Sequence, residues 1–135
     1  MKYLLPLVGL LALAGCGRDE TLTQYGGDAF PWRLLILDGK PVSFPNEITF
    51  GPRGSVSGFG PCSTYSARQT APYPWFALED VQLLEVTQDC AFQAQEAAYF
   101  AALSEMSLSE VSGNKLVLSD DTGREMVFTG VSYAR

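Results

Sequence analysis

The stretch that most narrows what this chain can become is the apolar run ending at Leu13-Ala14-Gly15-Cys16. Lys2 supplies one positive charge, Tyr3 to Leu13 is almost wholly apolar, and Ala14 and Gly15 are small. Those are the charged, hydrophobic and small-residue parts of a secretory signal. The run is too short for a membrane span, since crossing the bilayer core takes about 20 apolar residues. A chain exported in this way keeps its cysteines in an oxidising compartment. Without residues 1–15 it retains the length of one domain with a modest core.

Leu13-Ala14-Gly15-Cys16 resembles the lipobox of bacterial lipoproteins. The resemblance implies cleavage before Cys16, transfer of a diacylglycerol to the Cys16 thiol, and acylation of the new amino group. Several acyl chains on one residue give stable anchoring, since two membrane signals already suffice. Gly17, where that class uses Asp for inner-membrane retention, points to the periplasmic face of the outer membrane. The expected partners are the membrane, through the N-terminal lipid anchor, and an envelope protein. Residues 16–29 are polar and contain Gly26-Gly27, which predicts a flexible tether holding the body off the membrane. Residues 30–135 are the expected folded domain.

The chain has 9 basic and 15 acidic side chains, and Lys2 is the only charge in the first 15 residues. An acidic body of this kind excludes nucleic acid, whose binding rests on Lys and Arg against phosphates. It also argues against the body lying flat on an anionic membrane. There is no histidine. That removes Ser-His-Asp and Cys-His catalysis and the commonest zinc ligand. No metal and no cofactor is expected. With Cys16 committed to lipid, Cys62 and Cys90 remain as an even pair and predict a disulfide, the alternative being two free thiols. The bridge would close a loop of about 29 residues, worth roughly 3–4 kcal/mol in the chain-entropy model. That is a large share of the total stability of a small domain, about 5–15 kcal/mol.

Hydrophobic spacing places the elements. Trp32, Leu34 and Ile36 alternate with Arg33, Leu35 and Leu37, so both faces are largely apolar, as in a central, well-covered strand. Asp38-Gly39 is a turn signal. Val42 and Phe44 suggest a short strand limited by Pro41 and Pro45. Glu47 to Phe50 and Ser55 to Phe59 complete an antiparallel meander around the turn Gly51-Pro52-Arg53-Gly54. Gly58-Phe59-Gly60-Pro61-Cys62 asks for a tight, specific backbone path. Alternation resumes at Phe76 and Leu78 and runs towards Val86. Phe92, Glu96, Tyr99, Phe100, Leu103 and Met106 then recur at helical spacing among alanines, with Thr87 or Asp89 as the candidate cap. Three short strands, at 108–111, 116–118 and 125–128, end the chain.

Taken together, the chain resembles the META domain, or HslJ-like, family over about Phe30 to Val131. The resemblance rests on Trp32, Gly39, Ile48-Thr49-Phe50, Gly58 and Gly60 before Cys62 and Tyr65, and Thr87 three residues before Cys90. Glu96, Phe100 and Leu103, then Lys115 to Leu118 and Met126 to Phe128, complete it. It implies an α+β fold, a curved, mainly antiparallel sheet with a single α-helix packed on it. It also implies an envelope, stress or antibiotic-tolerance role without catalysis. The family usually carries Gly-Cys-Asn where this chain has Gly60-Pro61-Cys62-Ser63.

The leading expectation is a non-enzymatic envelope lipoprotein that binds a partner. Its candidate binding surface is Tyr73 and Trp75 together with Tyr65, because aromatics are enriched at hot spots and loops carry function. The competing expectation for Trp75 is that it folds back as core cover. The alternative function is a small-ligand or envelope-enzyme inhibitor module, using an apolar pocket under the helix or a loop stiffened by the bridge. Glu79-Asp80 and Asp120-Asp121 read as solvated loop charge rather than a glycosidase pair.

Overall fold

The computed structural model describes residues 19–133. The signal segment and Cys16 lie outside them. Trp32–Leu37 (β1), Lys40–Pro41 (β2), Glu47–Phe50 (β3), Ser55–Phe59 (β4), Ser63–Gln69 (β5) and Leu78–Val86 (β6) come first. Gln93–Glu105 (α1) follows, then Leu108–Ser112 (β7), Lys115–Ser119 (β8) and Glu125–Gly130 (β9). The strands form one antiparallel sheet in the order β6-β5-β4-β3-β1-β9-β8-β7, with β2 paired to β1. The sheet is open and curved, and α1 packs on it, which makes the fold α+β.

Alternation decides which face is buried. Trp32, Leu34, Ile48, Phe50, Val56, Tyr65, Ala67, Leu116, Leu118, Met126 and Phe128 all point to the covered face. Tyr99, Ala102, Leu103 and Met106 meet them from the helix side. The other face meets solvent, as antiparallel sheets allow. The expectation of two covered faces on β1 is therefore corrected. Leu35 is an extra residue against β9, because Leu34 pairs with Phe128 and Ile36 with Val127. The bulge reverses the parity of the strand. Leu37 packs against the core, while Leu35 and Ile36 are exposed.

The turns follow their residues. Asp38 and Gly39 both have positive φ, 50° and 82°, the geometry of a two-residue hairpin. Val42 and Phe44 do not form the expected strand. The paired strand ends at Pro41, with one further backbone bond from the Val42 N–H to the Leu35 carbonyl at 2.8 Å, and both side chains pack part-buried against the core from a loop. That loop is held by Asn46, whose Oδ1 accepts from the Leu34 N–H at 2.8 Å and whose Nδ2 donates to the Phe44 carbonyl at 3.2 Å. The helix begins at Gln93 after Phe92, with no side-chain cap, so neither Thr87 nor Asp89 fills that role.

The expected tether is corrected most. Leu22–Tyr25 is a 3-10 turn, capped by the Thr21 hydroxyl, and Leu22 is fully buried in the core. The indole N–H of Trp32 donates to the Gly27 carbonyl at 2.8 Å, and the Thr23 hydroxyl donates to the Gly51 carbonyl at 3.1 Å. Gly26-Gly27 serves close packing here. A Cβ on Gly27 would lie 2.1 Å from the Leu22 side chain, and Gly26 sits at φ 101°. Folded structure thus begins near Thr21, about nine residues before the expected boundary. The physical reason is one apolar side chain followed by two residues small enough to let it turn inward.

Two outcomes follow. Leu22→Ala should cost about 2–5 kcal/mol in urea unfolding, the range for emptying a buried leucine site, and a chain beginning at Phe30 should lose at least as much. The second concerns Arg124, which pairs with Asp38 at 2.8 Å and also with Glu105. The hydrogen bond from Arg124 holds the Asp38 carboxyl below its ordinary 3.8. A depressed carboxylate stabilises the fold above its unfolded pKa and loses that contribution as pH falls. Since the pair is about one-third exposed, solvent limits Asp38→Asn to about 0.2–1 kcal/mol at pH 7. Thermal melts should show the difference from wild type vanishing below pH 3.8.

Candidate functional site

Two places bring together the residues that the sequence singles out. The first is the hairpin between β4 and β5. Gly60 N–H bonds the Ser63 carbonyl at 2.8 Å and closes the loop. Cys62, in that loop, is joined to Cys90, just before α1, with Cα atoms 5.7 Å apart. Behind the bridge lies Glu96, buried although ionisable. Its Oε2 accepts from the Cys62 N–H at 2.9 Å and its Oε1 from the Ser63 hydroxyl at 2.9 Å. A Cβ on Gly60 would stand 2.7 Å from Oε2, so the carboxylate needs glycine at that point. Ser63, where the resembling family has Asn, donates to Glu96 through its hydroxyl.

Tyr65 continues from this loop and turns inward. It is 1% exposed, stacks edge-on with Phe100 at 4.9 Å, and its hydroxyl lies 3.4 Å from that of Tyr99. Burial pushes both phenols up, so each stays neutral near pH 7. A Cβ on Gly58 would meet the Glu47 backbone carbonyl at 2.2 Å and the Tyr65 hydroxyl at 2.8 Å, so this glycine also makes room. Tyr65 is therefore a core residue, and its expected place on a binding surface is corrected. The physical reason is parity, because Tyr65 alternates with the outward Thr64 and Ser66 on β5.

The second place is the loop before β6. Tyr73 is half-buried, stacks on Tyr25 at 4.8 Å, and its hydroxyl accepts from the Val111 N–H at 3.0 Å. Trp75 does not fold back as core cover: it is 57% exposed and pairs through its backbone with Leu108 of β7. Ser109 N–H bonds the Pro74 carbonyl at 2.7 Å, Phe76 N–H bonds that of Ser107 at 2.9 Å, and Trp75 N–H bonds that of Pro72 at 2.8 Å. The side-chain Oε1 of the buried Gln69 accepts from the Ala71 and Ala77 N–H groups at the loop base. Trp75 is thus presented on a rigid support. The three candidate aromatics do not form one surface. Tyr73 and Trp75 share a loop, and Tyr65 is inside.

Sequence reasoning did not find two features. Tyr25 joins the aromatic loop, and the only signal was Leu22 and Tyr25 three apart in a polar segment. Strand β6 is an exposed edge, with Val81, Leu83, Leu84 and Val86 from 37% to 62% exposed. Its alternation did not reveal this, since edge position is a matter of topology. Leu84, and one residue of Asp80-Val81, are extra against β5, so the edge carries two bulges.

The concave surfaces are open to solvent. A cavity of about 390 Å³ lies beside the aromatic loop, lined by Tyr73, Pro74, Leu108 to Glu110, Val117, Ser119 and Glu125. Another of about 330 Å³ is lined by Phe59 to Thr64 and Glu85 to Thr87. One of about 260 Å³ lies between Pro41–Phe44 and Gln95 and Ala98 of α1. Ligand pockets typically hold about 300–1,000 Å³ and enclose most of their ligand. Among the described residues no three His, Cys, Asp or Glu side chains are grouped to hold a metal ion, and no helix is long and apolar enough to cross a membrane. Asp120 caps its own turn, its Oδ1 accepting from the Thr122 and Arg124 N–H groups.

Removing either half of the helix-to-hairpin fastening should be costly. Glu96→Ala would strand the Cys62 N–H and the Ser63 hydroxyl, at about 1–3 kcal/mol for each buried group. A double-mutant cycle with Ser63→Ala should show coupling in urea melts. Full additivity would show that the two side chains act independently.

The sequence from residue 28 to 133 matches the family model of the META domain. A DUF4847 family protein from Bacteroides vulgatus has a similar fold, with a TM-score of 0.66 and 11% identity over 83% of this chain and 99% of that one. A protein from Burkholderia xenovorans, solved by NMR, gives a TM-score of 0.64 and 17% identity over 98% of this chain and 96% of that one. No curated protein matches the chain. With the match covering most of the sequence and the sheet, helix and hairpin agreeing with it, the chain belongs to the META domain family.

Proposed function

We propose that the protein is a lipid-anchored envelope protein that works by binding another protein and not by catalysis. The observation that carries the envelope reading is the Cys62–Cys90 bridge. It needs an oxidising compartment, which is where Leu13-Ala14-Gly15-Cys16 would send the chain. Lipid on Cys16 then fixes it to a membrane, and Gly17 favours the periplasmic face of the outer membrane.

The non-catalytic reading is supported by the state of the buried polar groups. Both Glu96 oxygens are occupied by structural hydrogen bonds. The Tyr65 and Tyr99 hydroxyls face each other in the core. Neither place offers a reacting group to a substrate. For partner binding, the free side of β6 presents unpaired backbone groups beside exposed apolar side chains. Such an edge suits a protein that adds an extended segment to the sheet. A stress or antibiotic-tolerance role is what the resemblance to the META domain family implies. The cavities are open to solvent and do not enclose a ligand, which favours partner binding over a small-ligand module.

The native protein should have a blocked N-terminus at Cys16 with acyl mass, and Cys16→Ser should accumulate as the uncleaved precursor. Mass spectrometry of both decides this, and normal lipid labelling of the variant would refute the anchor. A photo-crosslinker at Leu84 should trap one discrete protein in cells. Its failure there, with capture from the opposite face of the sheet, would remove β6 as the partner site.

A further inference from the structure

The folded start of the domain limits how far it can stand from its anchor. The Tyr73 N–H bonds the Glu20 carbonyl at 2.7 Å. From Glu20 onward the chain is part of the body, with Thr21 capping the turn that buries Leu22. Only residues 17 to 19 separate Cys16 from that fixed point. Four Cα steps span at most about 14 Å when fully extended. A tether reaching to residue 29 would have allowed more than three times that distance.

The side chains beside this fixed point suit a membrane surface. Trp75 is two residues beyond Tyr73 and 57% exposed, and Tyr25, stacked on Tyr73, is 53% exposed. Trp and Tyr favour the headgroup layer, where an apolar ring and a polar tip are both satisfied. The loop beneath them is cross-braced to β7 and needs little ordering on contact. Glu20, whose carbonyl the Tyr73 N–H bonds, and Glu110, beside Tyr73 and Pro74, border the same region. Their charge disfavours anionic lipid and selects a zwitterionic surface.

Building on the lipid anchor at Cys16, we propose that the face bearing Trp75 and Tyr25 rests on the zwitterionic phospholipid surface that holds the anchor. The aromatic rings sit among the headgroups and fix the orientation of the domain. The free edge of β6 is then presented in one direction to its partner and does not tumble on a loose leash.

The two tryptophans make the test internal. Trp32 is fully buried and Trp75 is exposed. The native lipidated protein is reconstituted into phosphatidylcholine vesicles, with and without bromine on the acyl chains near the headgroup. An intact mass is taken from the same preparation. Bromine quenches on near contact, so most of the Trp75 emission should be lost, while Trp75→Phe, which reports Trp32 alone, should be unchanged. Its unshifted Trp32 emission also shows that the variant is folded. Acyl mass with an unquenched Trp75 would overturn the contact, leave the anchor standing, and free that face for a protein. Absence of acyl mass would overturn the anchor and the contact with it.

Discussion

The carboxylate of Glu96 ties the helix to the sheet. A sheet with one apolar face needs a cover, and here the cover is largely one thirteen-residue helix. Tyr99, Leu103 and Met106 supply the apolar contact. Apolar contact is non-directional and does not set where along the sheet a helix sits. The two hydrogen bonds of Glu96 to the β4–β5 hairpin supply that register, and the Cys62–Cys90 bridge repeats it covalently a turn earlier. Gly60 is small because the carboxylate passes over it, and Gly58 is small because the Glu47 carbonyl and the Tyr65 ring do. Fastening, hairpin and helix entry are one unit.

The two edges of the sheet are treated differently. At β7 the loop 72–76 adds a single bridge and several backbone bonds, so that edge is partly covered. At β6 there is no such cover among the described residues. Its two bulges break the even row of donors and acceptors, a device that limits indiscriminate pairing. On the proposed reading, an edge that is broken up yet apolar would admit a matched partner and resist an arbitrary one. The aromatic loop and the free edge would then have different tasks, although β6 begins two residues after Phe76.

Much of the fold was legible because it depends on local chemistry. Asp38-Gly39 demanded positive φ and made a hairpin. The spacing of Glu96, Tyr99 and Leu103 defined the buried side of α1. With Cys16 read as the lipid site, Cys62 and Cys90 were the remaining even pair, and they are bridged. What escaped depends on tertiary placement. Leu22 sits in a polar stretch, and only its packing into the core cluster, against Gly27 whose carbonyl Trp32 bonds, makes it core. Tyr65 looked like a surface aromatic because it follows a glycine-rich loop, yet β-strand parity sends it inward. The alternation running from Leu78 towards Val86 did not show that this strand lies at the edge, because strand position within a sheet is not written in the strand. The candidate site was accordingly half legible: the bridge and Trp75 were found, and Tyr25 and β6 were not.

The bridge also encloses a stretch of chain. Everything from β5 through the aromatic loop and β6 lies inside the covalent ring from Cys62 to Cys90. A protease that nicks the ring between Ala71 and Trp75 would separate β1–β5 from the helix and the last three strands in sequence only. The fragments would stay linked by the sulfur bond, and β1 would still pair with β9 across the cut. Such damage would go unseen until a reductant reached the molecule, a form of resilience that comes from connectivity and owes nothing to the strength of the core.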